Sequence, residues 1–310
     1  MNRSIIVLLG VLAALILVYI IINTARDVTE KPELFFTLDT TRVDGLVIVN
    51  KHDTINLVKR SGRWYLGEPL DYPADARFTS NVMEKLCTMQ IETLITEDTT
   101  KAAQYEVDTA GVEVEVFEGG ESVAHFIVGK TSPSNRHTYC SFVGDDRIYL
   151  LQGTFTSQLN RKKKDWRDKV ILEIDKAIID RLDFTYPDES FSVIRSDTGW
   201  TVEAPGVSFA ADERLVDRSL QTVSRLRTFD FVDGDTVLVV DYSVPSLILT
   251  VSTDLGDNYR FSFVPQDDEA KRYLVKKDGV ERTLFVIHQG SANAIMKHPD
   301  DFQVKEEEGA

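Results

Sequence analysis

From residue 43 onward, apolar and polar positions alternate in short runs. Val43-Asp-Gly-Leu-Val-Ile-Val49, Thr54-Ile-Asn-Leu-Val58 and Arg63-Trp-Tyr-Leu66 are β-rich and are separated by Asn, Lys and Gly, so each reads as a strand. The period then changes. Phe78, Val82, Leu86 and Met89 recur at helical spacing, and Asp75 stands where an N-cap belongs. Strands return at Val112–Phe117, Val123–Val128, His137–Val143 and Arg147–Leu151. The N-terminus is different again: Ser4–Ile22 holds no charge and is almost wholly aliphatic. At about 1.5 Å rise per residue this stretch spans roughly 28 Å, close to the thickness of a bilayer core. A cleaved signal peptide would be shorter and end in small residues, whereas Asn23-Thr24-Ala25 follows here, with no cysteine nearby for lipid attachment. The stretch reads as an uncleaved anchor.

The pattern repeats. Gly62-Arg-Trp64 and Pro69 lead to Ala74-Asp75 and a helix; Thr198-Gly-Trp200 and Pro205 lead to Ala211-Asp212 and another, striped by Leu215, Leu220, Val223 and Leu226. Trp64 and Trp200 stand as far apart in the chain as Pro69 and Pro205; the separations of Asp75 from Asp212 and of Tyr105 from Tyr242 are longer by a single position. A period this long signals two tandem copies of one lobe rather than a solenoid. The expected fold is α+β: an N-terminal transmembrane helix, then two structurally similar lobes of mainly antiparallel sheet, each with a packed helix. The expected organisation is an anchor at 1–23, a stalk at 24–42, lobes at 43–160 and 175–300, a basic connector at 161–174 and an acidic tail at 301–310. Within the stalk, Leu34-Phe35-Phe36 is the one apolar patch.

Charge narrows the function classes. With 50 acidic against 35 basic residues the formal net charge is −15, which disfavours nucleic acid and anionic lipid surfaces as partners. Lys and Arg counts around the anchor do not set its orientation. Asp27 and Glu30 beside the trailing basic residues, and the acidic body behind them, place the N-terminus inside and the body outside the cytoplasm. Two cysteines, Cys87 and Cys140, are too few for a disulfide scaffold, though one bond between them is open in an oxidising compartment.

Motifs for chemistry are scarce. The stretch Ala124-His-Phe-Ile-Val-Gly-Lys-Thr-Ser132 ends like a P-loop, but Ala124 replaces the early glycine, and a turn between strands follows where a helix should open. The second copy carries Pro265-Gln-Asp-Asp-Glu269 at that place, so Lys130 reads as a solvated hairpin residue and no nucleotide is expected. The five histidines form no metal-binding spacing, and no G-x-S-x-G or G-x-G-x-x-G is present. No cofactor or metal is expected. Trp64 and Trp200 offer rings for stacking on a sugar or peptide, but strand tryptophans beside a helix more often fill a core. Asp75 and Asp212 read as helix caps. In the connector, Lys162, Lys163 and Lys164 are candidates for an interface, set against a solvated linker as the plainer reading. Trp166 among these charges is expected to be pinned in a pocket, where the lobes meet.

Taken in order, Gly62-Arg-Trp64 with Pro69, Ala74-Asp75, the helix, Tyr105-Glu-Val107 and Phe126-Ile-Val-Gly129 resemble an uncharacterised family of membrane-anchored exported proteins. Such proteins are often encoded beside gliding-motility-type ABC transporters and their GldG-like auxiliary protein. The resemblance implies a single-pass protein of the bacterial inner membrane, with membrane-protein partners of ABC-transporter type and no catalytic residues to carry over. Tyr-Glu-Val stands where a Tyr-Gly-Leu-like triplet is expected, at a packing turn. Two functional classes follow: a non-catalytic accessory or scaffolding module, or an envelope hydrolase or carbohydrate-binding protein with an unrecognised carboxylate site.

Overall fold

The computed structural model describes residues 12–19, 33–234, 237, 240–267 and 269–304. Of the anchor, residues 12–19 are helical and exposed; the rest of it, the stalk before residue 33 and the tail beyond 304 lie outside the described residues. Among the described residues no helix is long and apolar enough to cross a membrane.

The fold is α+β, built on two large antiparallel sheets. The chain divides into two compact units. One runs through Leu66 and resumes from Ala76 to Trp166; the other holds Gly67–Asp75 and everything from Arg167 on. The strands of the first half are β1 (Val43–Val49), β2 (Thr54–Arg60), β3 (Arg63–Leu66), β4 (Tyr72–Pro73), β5 (Ile91–Thr96), β6 (Val112–Glu118), β7 (Glu121–Thr131), β8 (His137–Phe142) and β9 (Ile148–Gln152). All but β4 belong to the first unit, in the order β3-β2-β1-β6-β7-β8-β9-β5. The second half carries β10 (Val170–Glu173), β11 (Ile179–Thr185), β12 (Ser190–Ser196), β13 (Gly199–Ala204), β14 (Val207–Ala210), β15 (Arg225–Arg227), β16 (Asp230–Asp233), β17 (Leu247–Thr253), β18 (Asn258–Pro265), β19 (Arg272–Lys277) and β20 (Thr283–His288). Its sheet runs β14-β13-β12-β11-β17-β18-β19-β20-β16, and β10 pairs with β15 apart from it.

The two sheets share strand order and register. Leu46 opposes Leu57 and Val116; one repeat further on, Leu182 opposes Val193 and Val251. The register shift between Val43 and Gly45 recurs between Ile179 and Arg181. A bulge kept at the same place in both copies is a designed feature of the fold.

Alternation along the strands turns one face of each sheet inward. Leu46, Ile48, Leu57, Val114 and Phe126 are buried in the first unit, as are Val82 and Leu86 of the Ala76–Cys87 helix. In the second, Leu182, Phe184, Val193, Leu249 and Phe261 are buried, with Val216, Leu220 and Val223 of the Glu213–Val223 helix in the same core. Each such side chain contributes about 1.5–3 kcal/mol by leaving water. Both cysteines are free thiols, so the bond left open by the sequence does not form.

The stalk and connector readings need correction at their ends. Leu34 bridges Gln90, the Phe35 N–H donates to Met89 O at 2.8 Å, and the Ile91 N–H donates to Glu33 O at 2.8 Å. In the second unit Val170 opposes Arg227, and the Thr228 N–H donates to Lys169 O at 2.9 Å, the same contacts one repeat later. Phe35 is buried, stacked on Phe142 at 4.2 Å and edge-on to Phe126 at 5.7 Å; Ile171, its counterpart, is buried as well. Each lobe therefore begins with an entry strap. Three apolar residues are too few to show a period, which is why the strap reads as linker from sequence.

Strand β7 continues through Gly129-Lys130-Thr131, and the turn comes at Ser132–Asn135. Gly129 lets the Tyr105-Glu106-Val107 turn approach: a Cβ there would lie 2.3 Å from Tyr105 O and 2.8 Å from Val107 Cγ1. Lys130 is half-buried, its Nζ 6.0 Å from the Tyr105 ring centre, rather than freely solvated. Glu106 adopts φ 57°, the left-handed conformation, and caps the Ala102–Tyr105 helix with its N–H. The glycine expected at this place would adopt that conformation without strain. Glu106→Gly should therefore raise stability by about 1 kcal/mol, seen as a higher melting temperature. Gly129→Ala should lower stability by about 1–3 kcal/mol through overpacking.

Candidate functional site

The connector contains the most deeply buried cation among the described residues. Asn50 Nδ2 donates to Leu159 O and Arg161 O, both at 2.9 Å, and the Lys163 N–H donates to Asp53 Oδ2 at 2.8 Å. The Arg161 guanidinium lies 4.5 Å from the Phe78 ring centre, and Trp166 meets the same ring edge-on at 4.6 Å. Trp166 is fully buried, as expected of a pinned aromatic; Lys162 is exposed, and Lys163 and Lys164 are half-buried. The run is thus tied down rather than a solvated linker. A charge count cannot register backbone bonds or guanidinium–ring stacking.

Arg167 goes further. Only 2% of it is exposed. Its Cζ lies 3.7 Å from the Phe231 ring centre and 4.2 Å from that of Tyr72. Nη1 donates to Asp233 Oδ2 at 2.7 Å, and Nη2 donates to Thr283 Oγ1 at 3.0 Å. The Thr283 hydroxyl in turn donates to Asp233 Oδ1 at 2.7 Å. Asp233 and Thr283 sit opposite each other on β16 and β20, so sheet register presents both acceptors together. All of these residues belong to the second unit, and the cluster fixes the Gly67–Asp75 segment within it. Burial pushes the Tyr72 phenol up to about 12; Arg167 opposes this, and Asp168 and Asp233 add to it.

A second feature of that unit is an open cleft of about 780 Å³, lined by Asp188, Glu189, Asp300 and His298 beside Tyr186 and Val207. His298 stacks on Tyr186 with centroids 4.9 Å apart, and its Nδ1 lies 2.8 Å from Glu189 Oε2. The Tyr186 hydroxyl donates to Lys297 O at 2.7 Å. Burial, with Glu189 and Asp301 nearby, holds that phenol far above its usual range. The cleft presents three carboxylates and no Lys or Arg, which suits cationic groups.

The repeat residues occupy architectural places. Trp64 and Trp200 are half-buried beside a cross-strand cation, Lys59 Nζ at 5.8 Å and Arg195 Cζ at 5.0 Å, so they cover the rim of a core rather than fill it. Pro69 follows a cis peptide, and Pro205 opens the turn between β13 and β14 with Gly206 at φ 81°. Asp75 immediately precedes its helix; Asp212 caps the other, accepting the Arg214 N–H at 2.8 Å. Tyr105 meets Tyr139 at 4.6 Å, and Tyr242 packs against Leu274, Leu284 and Val286. Within each unit these residues are spread over different elements. Among the described residues no group of three or more His, Cys, Asp and Glu is placed to hold a metal ion. Sequence pattern does not single out the strap residues Phe35 and Ile171 or the exit residues Trp166 and Phe302 as repeats, although each pair keeps the spacing of Trp64 and Trp200.

The Arg167 cluster gives three expectations. Arg167→Lys should destabilise, because an ammonium cannot stack or reach Asp233 and Thr283 together. Asp233→Ala should cost about 2–3 kcal/mol, below the usual cost of breaking a buried pair because a third of that side chain stays exposed. Tyr72 titrates near 10 when unfolded and about 12 when folded, so its contribution is complete below the lower value and lost as pH rises through the upper. Alkaline denaturation followed by circular dichroism should show this loss, and Tyr72→Phe should reduce it, the raised Tyr186 and Tyr242 phenols keeping a share of the same sign.

Neither a curated protein nor a solved structure matches the chain. Residues 64–243 match a family described as a domain of unknown function, DUF4340. That span covers more than half of the sequence and runs from Trp64 through the Arg167 connector to Ser243, so the chain belongs to the DUF4340 family.

Proposed function

We propose that this protein is a non-catalytic accessory or scaffolding module of an ABC-transporter-type membrane complex. Residues 4–22 anchor it in a bacterial inner membrane, with its body outside the cytoplasm. The observation that carries the reading is the nature of what the copies share: an aspartate at the head of each helix, the same bulge after the first residue of β1 and β11, and half-buried tryptophans paired with cations. Duplicating a lobe for chemistry would keep convergent groups with tuned protonation. Duplicating it for binding lengthens a surface and keeps only the architecture. The uncharged Ser4–Ile22 stretch supports the anchor, and the resemblance to proteins encoded beside gliding-motility-type transporters supports the partner.

Two measurements test this reading. N-terminal sequencing of the membrane-fraction protein should find the anchor retained; a start near Arg26 means a cleaved signal. Purification in mild detergent should bring down transporter membrane subunits in fixed proportion. The Asp75→Asn, Asp212→Asn double variant should keep that complex with only small stability losses, since Asn also caps helices. Loss of a turnover activity with the complex intact would sink the binding-only reading.

A further inference from the structure

Sheet edges expose unpaired N–H and C=O groups, and proteins usually blunt them. β5 is interrupted by register shifts at Ile91/Thr93 and Leu94/Thr96, and the entry strap pairs beside its start. β16 carries Asp230 and Asp233, the latter tied to Arg167. β14 has no such protection. Val207-Ser-Phe-Ala210 has no charge, no proline and no bulge, and its four residues pair in regular register with β13.

The counterpart of β14 in the first copy is β4, and its outer side is occupied. Ala74 forms an antiparallel bridge with Arg167, and the Asp168 N–H donates to Pro73 O at 2.9 Å. The chain itself thus adds an extended, basic segment there. Ala210 stands to Pro73 in the repeat as Asp212 stands to Asp75. The residues corresponding to Arg167 and Asp168 are Gln303 and Val304, but Val304 is 63% exposed. Among the described residues no strand pairs with the outer side of β14; the chain's own end joins this edge only beyond it, where the Asp212 N–H donates to Phe302 O at 2.8 Å. The sequence beyond carries Glu306, Glu307 and Glu308, the same sign as the cleft, so charge opposes docking of the tail there.

The free groups can be assigned. A two-residue Pro205-Gly206 turn makes Ala204–Val207 and Val202–Phe209 the hydrogen-bonded pairs, so Ser208 and Ala210 direct their N–H and C=O outward. Val207 also lines the cleft that holds Asp188, Glu189 and Asp300. We propose that β14 receives an extended segment of a partner protein carrying Lys or Arg, added antiparallel to the edge, with its basic side chains toward these carboxylates. This deepens the binding reading above by naming the edge and the chemistry of what docks there.

The full chain in detergent is titrated with a fluorescent peptide of alternating lysine and valine, and with its glutamate–valine counterpart. The lysine peptide should bind, less tightly as salt rises, and the glutamate peptide should not. Ser208→Pro removes one outward N–H and leaves the β13–β14 bonds intact; it should weaken binding about tenfold or more. Ser208→Lys repels the peptide without altering the backbone and should weaken it too, which keeps the test decisive if the proline variant misfolds. Asp188→Asn, Glu189→Gln and Asp300→Asn together should remove the salt dependence. Equal binding of both peptides, no binding of either, or binding unchanged by both Ser208 variants overturns the proposal. Binding seen only after deletion of residues 305–310 makes the chain's own tail the occupant. Dimerisation sensitive to Ser208, with no peptide binding, makes a second copy the occupant. Either result also overturns the proposal. Because the measurement uses the purified chain, its failure leaves transporter co-purification to stand or fall separately.

Discussion

A large antiparallel sheet with one apolar face must have that face covered, and in each unit here the cover comes from pieces of chain outside the large sheet. Three pieces of chain recur around each core. A helix supplies Val82 and Leu86 in one unit, and Val216, Leu220 and Val223 in the other. An entry strap supplies Phe35 or Ile171, and an exit residue supplies Trp166 or Phe302. Phe302 packs near Phe184 and Phe191, while Trp166 meets Phe78 of its helix. Strap and exit lie at opposite ends of the repeat in sequence, so a lobe is closed only when both ends have been placed. That dependence explains why the repeat spacing persists where most side chains have changed.

Arg167 follows Trp166 directly, and the division between the units falls between these two residues. A buried guanidinium costs several kcal/mol in lost hydration. Asp233, Thr283 and two aromatic faces offset much of that, and Nε is left without a hydrogen-bond partner in the structure. Such a cluster is a poor source of net stability compared with apolar packing. Its value lies in geometry: a planar cation between two rings, with two fixed acceptors, tolerates one arrangement of the Gly67–Asp75 segment within the second unit. Tyr72 serves as one face of this stack and lies next to Pro73, whose carbonyl is already bonded to Asp168.

The copies agree at the first strand of each sheet and at the strand tryptophan, and differ at the outer strand. Both keep the bulge after the first residue of β1 and β11, and both place a cation beside the strand tryptophan. The turn at Glu106 keeps a left-handed backbone although the residue is not glycine, and Gly129 and Gly111, which have no Cβ, make room for its backbone. Burial and backbone proximity constrain those positions. The outer strands are free of that constraint, and there β4 is short and bridged by its own chain while β14 is longer and, among the described residues, has no strand on its outer side.

Alternation and helical spacing determined the α+β class, and two tryptophans, two prolines and two aspartates at nearly one offset determined the duplication. These are local patterns, and local patterns survive in a linear string. Asp212 was legible as a cap for the same reason, since capping involves residues close in the chain. The straps were not legible, because three apolar residues acquire meaning only when Gln90 or Arg227 lies alongside. Arg167 was hidden in a basic run, since its burial depends on Tyr72, Phe231, Asp233 and Thr283, which lie far from it in the chain. The place of β14 at the end of its sheet was equally invisible: which strands lie at an edge is a property of the sheet, decided only when the whole chain is folded.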